Sequence, residues 1–306
     1  MTSTKASSSQ SSPWPWLEGL GLSIADPPRP PVNEYDDRPS VKELIEQHRK
    51  YIDEVHKELK SEPLYDSNKH DDLWKLRFLL SHSKKVKAAV GAATHTLAFR
   101  KQHNLDAVDI RFKTPLDGFA KESFERYFQF CTDDALRFVL PDQTRGVVAF
   151  INIGGMNQHE LVKNVPESDW LPSFMHFSEW TYQWQDRITR TTGRLTKSVR
   201  FIDASEVKLS GLNSELSKRD GNTMGIMEDC YPQLLQTLYI CHAPGWIQVP
   251  WRIIRPLFPK KVKAKFDFIN PETNVNERQR LLKHKHLPKR YGGFNDTWPV
   301  SFPLSN

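Results

Sequence analysis

The chain has 306 residues, of which 38% are hydrophobic and 26% are charged, and its formal net charge is +6. These values are typical of a globular protein with a sizeable core, and the positive charge favours acidic partners such as nucleic acid, membrane surfaces or phosphorylated ligands. No window approaches the roughly eighteen consecutive apolar residues of a membrane-spanning helix. Three irregularly spaced cysteines provide no disulfide framework and indicate a reducing compartment.

The N-terminal residues 1–39 are rich in Ser and Pro and lack the apolar core of a secretory signal. Such a composition buries too little apolar area to offset the chain entropy, so we expect a disordered tail. Trp14 and Trp16 within it either contact the fold or a partner, or belong to an idle tail.

Residues 40–130 predict a helical N-terminal lobe. Ser40 and Glu43 have the spacing of a capping box, and apolar residues then recur at three- and four-residue intervals. Two further amphipathic patterns cover about 71–80 and about 84–104. Short joints between these helices are typical of a small bundle.

From about residue 134 the apolar pattern changes from helical spacing to alternation. A β-hairpin is predicted over 136–153, followed by alternating helices and strands. This order favours an α/β lobe with a mainly parallel sheet over 131–296, and a C-terminal tail over 297–306. The predicted strands are 199–203, 238–241 and 266–269, and the predicted helices are 169–189 and 209–228.

The common catalytic signatures are missing from the sequence, which has no P-loop, G-x-G-x-x-G, G-x-S-x-G or H-E-x-x-H motif. Cys241 and His242 are adjacent, but neighbours on a strand point to opposite faces, which disfavours a nucleophile and base pair. His284 and His286 could share a strand face as metal ligands, yet lysines surround them. Structural roles are therefore favoured for both pairs, and neither an enzyme nor a metal site is predicted.

The stretch from Trp246 to Lys265 joins an apolar segment to a basic one. Lysines follow the apolar residues, and no acidic residue occurs before Asp267. This order suits a surface that meets both lipid tails and anionic headgroups. The candidate membrane-facing basic residues are Arg252, Arg255, Lys260, Lys261 and Lys263.

Nucleic acid is the competing interpretation of these charges, since Trp246, Trp251 and Phe258 could stack on bases. The aliphatic residues of the same stretch have no stacking role, however, and no zinc finger, RNP-like strand or GXXG loop accompanies them. A lipid partner is therefore favoured, and no nucleic acid is expected.

Four motifs, in order along the chain, resemble those of a known family. They are LRFL at 76–79 with FRK at 99–101, FID at 201–203, YP at 231–232 with LYICHAP at 238–244, and LPKRYGG at 287–293. Over about residues 70–295 the chain thereby resembles the CRAL-TRIO lipid-binding domains, of which the yeast phosphatidylinositol/phosphatidylcholine transfer protein is typical.

The resemblance implies a helical lobe and an α/β lobe whose sheet floors a lipid pocket. A mobile gate helix over the mouth of the pocket is also implied, and the chain's apolar segment falls at that place. The gate residues would be Trp246, Ile247, Val249, Trp251, Ile254, Leu257 and Phe258.

The resemblance also implies residues for the lipid headgroup. Lys265 stands where the family has a lysine on the phosphoinositol, while Gln233 replaces a glutamate and His82 replaces an arginine. Gln233 can hydrogen-bond an inositol hydroxyl, and protonated His82 can bind phosphate. On the phosphatidylcholine side Ser198 matches a serine, whereas Arg200 replaces a hydroxyl residue, a change that favours an acidic headgroup or a different apolar ligand.

The resulting hypothesis is a cytoplasmic, monomeric lipid-transfer protein that associates reversibly with anionic membranes. It would extract one phospholipid, phosphatidylinositol-like or otherwise acidic, and needs no cofactor beyond its bound lipid. Two alternatives stay open: a lipid sensor that recruits a protein partner through the N-terminal tail, and a carrier of a small isoprenoid.

Overall fold

The computed structural model describes residues 36–107, 109–111, 121–132, 135–139, 146–258, 260–270, 287–291, 293 and 300–301. Within them the helices are α1 (Val41–Leu59), α2 (Asp72–Ser81), α3 (Val86–Gln102), α4 (Lys121–Phe128), α5 (Gln158–Asn164), α6 (Glu167–Thr192), α7 (Ser214–Cys230), α8 (Gln248–Ile254) and α9 (Lys260–Lys263). The strands are β1 (Leu136–Val139), β2 (Val148–Asn152), β3 (Ser198–Asp203), β4 (Leu235–Cys241), β5 (Phe266–Ile269) and β6 (Val300–Ser301).

Helices α1 to α3 pack against one another around a shared apolar core, as the periodicity predicts. Ser40 caps α1 by accepting a hydrogen bond from the backbone N–H of Glu43, and Asp71 caps α2 in the same way from Trp74. The apolar faces of the three helices meet at Ile52, Val55, Leu59, Leu76, Phe78, Leu79, Ala89 and Ala93.

The sheet has the strand order β5-β4-β3-β2-β1-β6. Strands β2 to β5 run parallel, whereas β1 pairs antiparallel with both β2 and β6. The predicted hairpin and the mainly parallel α/β sheet are therefore confirmed. One strand was not predicted, because β6 is only two residues long and lies in the expected tail 297–306.

The two faces of the sheet are covered differently. Phe150, Phe201 and Tyr239 form one face, which is covered by Leu287 and Tyr291. Alternate residues on the same strands, Ile151, Ile202 and Ile240, form the opposite face, because successive side chains of a strand point to opposite sides. This second face carries the candidate site.

Helix α4 packs with the α/β part of the molecule, although the sequence places it in the helical lobe. Ser123 donates a hydrogen bond to Asp169 on α6 at 2.9 Å, and Arg126 forms an ion pair with the same carboxylate at 2.7 Å. The helical lobe thus ends before residue 121, and not at 130 as expected.

The last four residues of the predicted N-terminal tail also have defined contacts. Arg38 donates to Thr196 Oγ1 at 2.5 Å, and the backbone N–H of Leu195 donates to the carbonyl of Pro39 at 2.9 Å. Residues 36–39 therefore belong with the fold, a correction to the tail boundary. Residues 1–35, with Trp14 and Trp16, lie outside the described residues.

None of the helices in the described ranges is long and apolar enough to cross a membrane.

Candidate functional site

An apolar cavity lies against the second face of the sheet. The cavity has a volume of about 210 Å³. Its floor is formed by strand residues Ile151, Ile202, Ile240, Phe266 and Phe268, and its walls by Tyr127 of α4, Phe174 and Phe177 of α6, and Leu216 and Met224 of α7. Polar side chains in its lining are few, so the space suits a hydrocarbon chain.

Residues 245–258, here named the gate segment, close one side of this cavity. Ile247, Pro250, Trp251 and Phe258 line the cavity. The ring of Trp251 lies 4.8 Å from that of Phe266 and 5.3 Å from that of Phe268. The inward half of the segment is thus held by aromatic contacts with β5.

The outward half of the gate segment exposes apolar side chains to solvent. Ile253 is 68% exposed, Val249 64%, Leu257 41% and Trp246 36%. Such exposure over one short segment marks an interaction surface. The side chain of Ile254 lies outside the described part of the structure.

Helix α7 supports the gate segment through a close backbone approach at Gly221. A Cβ at this position would come within 2.5 Å of the carbonyl oxygen of Leu257. Only glycine therefore allows this approach, and a larger residue would push the gate segment away from α7.

The predicted headgroup residue Lys265 is held in an ion pair outside the cavity lining. Its Nζ donates to both carboxylate oxygens of Glu228, at 2.8 and 2.7 Å. Both side chains are largely buried, with exposed fractions of 19% and 12%. A ligand phosphate would therefore have to compete with Glu228 for Lys265.

Gln233 follows the C-terminal end of α7 by three residues, and His82 lies 3.8 Å from Asp229 in the last turn of that helix. Gln233 hydrogen-bonds Ser81 through its backbone N–H and its side-chain amide. His82 Nε2 is 3.1 Å from Lys261 Nζ and 3.8 Å from Asp229 Oδ1, and the proximity of His82 and Lys261 lowers the pKa of the Asp229 carboxyl. Lys261 thus contacts this polar cluster, although the sequence analysis predicts it to be a membrane-facing residue.

The two remaining headgroup residues have different surroundings. Ser198 is buried and donates its hydroxyl to the carbonyl of Leu234 at 2.8 Å, so its hydrogen bond is internal. Arg200, two residues along β3, lines the cavity. Of the five predicted headgroup residues, Arg200 alone is in the lining formed by the described residues.

The predicted membrane-facing basic residues divide into two groups. Arg252, Arg255 and Lys260 are exposed. Lys261 instead contacts His82, and Lys263 donates to the carbonyl of Pro256 at 3.4 Å. The exposed cations lie on or directly after the gate segment.

Cys241 and His242 do not reach the cavity. Cys241 is buried on the opposite sheet face, and His242 lies 3.3 Å from Asp203 and 3.2 Å from the carbonyl of Arg290. Within the described residues no group of three or more His, Cys, Asp or Glu could hold a metal ion. His284 and His286 lie outside the described residues.

Asp220 is a cavity residue that the sequence analysis missed. It lines the cavity from α7 and accepts a hydrogen bond from Trp170 Nε1 at 2.9 Å. Burial raises its pKa to about 7. Spacing along α7, with Leu216, Asp220 and Met224 on one helical face, is the signal that could have placed it here.

Asp220→Asn should stabilise the protein at pH 8 more than at pH 5. The Asp220 carboxyl has a pKa near 3.9 in the unfolded state and about 7 in the folded state, so the folded state binds the proton more tightly. The stability that this proton contributes is present at low pH and is lost as pH rises through about 7. Asparagine avoids the buried charge and keeps an oxygen for Trp170. We expect its advantage to grow by roughly 2–3 kcal/mol between these pH values in urea denaturation. An advantage independent of pH would contradict the assigned protonation.

Comparison with known proteins gives matches over most of the chain. The chain is 22% identical over 236 residues to Patellin-3 of Arabidopsis thaliana, covering 76% of this chain and 44% of that protein. It is 22% identical over 231 residues to the CRAL-TRIO domain-containing protein T23G5.2 of Caenorhabditis elegans, covering 73% and 30%. The chain thus spans less than half the length of these two relatives.

A solved structure and a family model agree with these matches. The crystal structure of Sfh5 superposes with a TM-score of 0.56 at 16% identity, covering 84% of this chain and 88% of that one, which supports the fold. The model of the CRAL/TRIO domain matches residues 140–293, half of the chain. The chain therefore belongs to the CRAL/TRIO family of lipid-binding domains.

Proposed function

We propose that this chain binds one amphiphilic lipid in the cavity and exchanges it with membranes by moving the gate segment. The observation that carries the proposal is the two-sided character of that segment. Trp251 and Phe258 close the apolar cavity, while Val249 and Ile253 are exposed on the other side. A closing segment whose outer side is apolar can exchange its inward contacts for contacts with lipid tails at a membrane surface.

Energetics favour exchange at a membrane over release into water. Burying an acyl chain is worth roughly 0.8 kcal/mol per methylene against water, so a bound lipid does not escape into solution. Transfer from the cavity to a bilayer moves the chain between two apolar media, and most of this free energy cancels. Membrane contact is therefore the step at which the lipid enters and leaves.

The exposed cations supply a preference for anionic membranes. Arg252, Arg255 and Lys260 lie beside the exposed apolar side chains. Near an anionic surface each basic residue contributes roughly 1 kcal/mol. We propose that these residues orient the gate segment toward the bilayer and that the protein binds it peripherally.

For the bound lipid we propose a phospholipid of acidic character, phosphatidylinositol-like or related. Lys265 binds Glu228 near the end of α7, His82 contacts Lys261, and Gln233 binds Ser81, the residue before His82, which supports a shared polar subsite. The pairing of Lys265 with Glu228 means that a phosphate must displace this carboxylate, or bind beside it.

Ile253→Asp should weaken binding to anionic vesicles by at least about tenfold. The change removes an apolar side chain from the membrane contact and adds a negative charge facing an anionic surface. Vesicle cosedimentation measures binding, and transfer of a fluorescent phospholipid between vesicles should fall in parallel. Tyr51→Asp is the matched control, because Tyr51 is also exposed, at 39%, but lies on α1. Equal losses in both variants, or none in Ile253→Asp, would contradict the docking role.

A further inference from the structure

Arg200 is a basic side chain in the largely apolar lining of the cavity. It lies on β3, two residues before Ile202, and its guanidinium carbon is 5.5 Å from the centre of the Phe177 ring. Its Nε is buried and has no hydrogen-bond partner among the described residues. Burial lowers the pKa of Arg200 to about 10, so the group keeps its charge at neutral pH.

Glu228 is the acidic residue whose charge acts on Arg200, but it does not neutralise the Arg200 guanidinium. Glu228 raises the pKa of Arg200 electrostatically, but both of its carboxylate oxygens bind Lys265. Lys197 lies near the same carboxylate, and its pKa is lowered first by burial and then by Lys265. Lys197 and Arg200 thus both interact electrostatically with a carboxylate that Lys265 already binds.

Asp220 lines the same cavity from α7, but no hydrogen bond or ion pair joins it to Arg200 among the described residues. Its carboxyl accepts the hydrogen bond from Trp170. A buried cation without a paired anion is costly, and proteins keep such groups where a ligand supplies the anion.

We propose that Arg200 binds the acidic group of the ligand inside the cavity, so that the lipid carried is an acidic amphiphile anchored by its oxyanion. This rests on the proposed function and deepens it. The planar guanidinium binds two oxygens of a carboxylate or phosphate at once, and the Phe177 ring beside it restricts its orientation. The hydrocarbon part then packs against the apolar walls.

Calorimetric titration of purified protein with pairs of amphiphiles tests this assignment. Oleic acid is compared with oleyl alcohol, and lysophosphatidic acid with the monoacylglycerol of the same chain, each below its micelle concentration. We expect the native protein to prefer the acidic member of at least one pair by about tenfold or more. The pair with the larger ratio identifies a carboxylate or a phosphate as the bound group.

Arg200→Met keeps an unbranched apolar stem and removes the guanidinium with its charge. The preference should fall to less than about threefold, while affinity for the neutral member is unchanged or higher. Lys218→Met, an exposed lysine on α7, should keep the full preference. The inference is overturned if the native protein binds acidic and neutral members equally, or if Arg200→Met keeps the preference.

Failure of the proposed function gives a different result from failure of this inference. A native protein that binds no amphiphile of either pair, and takes up no phospholipid from vesicles, contradicts lipid binding itself. Thermal unfolding of Arg200→Met separates a structural role from a binding role, because removal of an unpaired buried charge should not lower the unfolding temperature. A clear decrease would show that Arg200 serves the fold, and would overturn the assignment.

Discussion

Replacement of Arg100 with methionine should lower the free energy of unfolding by about 3–5 kcal/mol. Arg100 on α3 donates through two nitrogens to both carboxylate oxygens of Glu179 on α6, each at 3.0 Å. Glu179 is fully buried, whereas the Arg100 side chain is 11% exposed. Loss of the guanidinium would leave a buried carboxylate without its partner, and would weaken the junction between the helical lobe and the α/β lobe.

Urea denaturation measures this effect, and Arg190→Met is its matched control. Arg190 pairs with Asp71 and Asp186, but its own side chain is 44% exposed and those of the aspartates are 42% and 29% exposed, so we expect a loss of about 1 kcal/mol or less. A double replacement, Arg100→Met with Glu179→Leu, should recover much of the lost stability, since it removes both charges. Similar losses for Arg100→Met and Arg190→Met would show that burial of the pair is unimportant.

Ser217→Trp should reduce lipid uptake at least about tenfold by filling the cavity. Ser217 lies on α7 in the cavity lining, between the Leu216 and Asp220 positions. Ser217 is partly buried and in the lining, so the cavity offers the indole open volume and an apolar surface to pack against. Uptake is measured by the change in fluorescence of a fatty acyl probe as it moves from donor vesicles to the protein.

The neighbouring residue provides the control for this variant. Lys218 is exposed on the same helix, so Lys218→Trp adds the same side chain outside the cavity and should leave uptake within about twofold. Full uptake by Ser217→Trp, with folding confirmed by circular dichroism, would show that the lipid binds elsewhere.

Periodicity and strand alternation were sufficient to predict the architecture. The apolar faces of α1, α2 and α3 and the strand at Phe266–Ile269 follow directly from spacing. Contacts between distant segments were not predictable in this way. Helix α4 has its own amphipathic pattern, but only tertiary packing decides that it joins α6, and the two residues of β6 are too few to give a strand pattern.

The apolar and basic stretch of the gate segment is visible in the sequence because these residues are contiguous there, and its role as a gate stays a prediction. The electrostatics of the site were not predicted. The sequence does not show that Glu228 neutralises Lys265, or that Lys261 contacts His82, because each of these contacts joins residues far apart in the chain. Arg200 acquires its significance only from the burial of its surroundings.

Native mass spectrometry of the intact protein tests the central claim most directly. Protein incubated with vesicles that contain acidic phospholipids, and then separated from them, should carry one lipid per chain, identified by its mass after release. The Ser217→Trp variant treated in the same way should show the mass of the bare chain. Native protein that shows only the bare mass after this incubation would contradict the account.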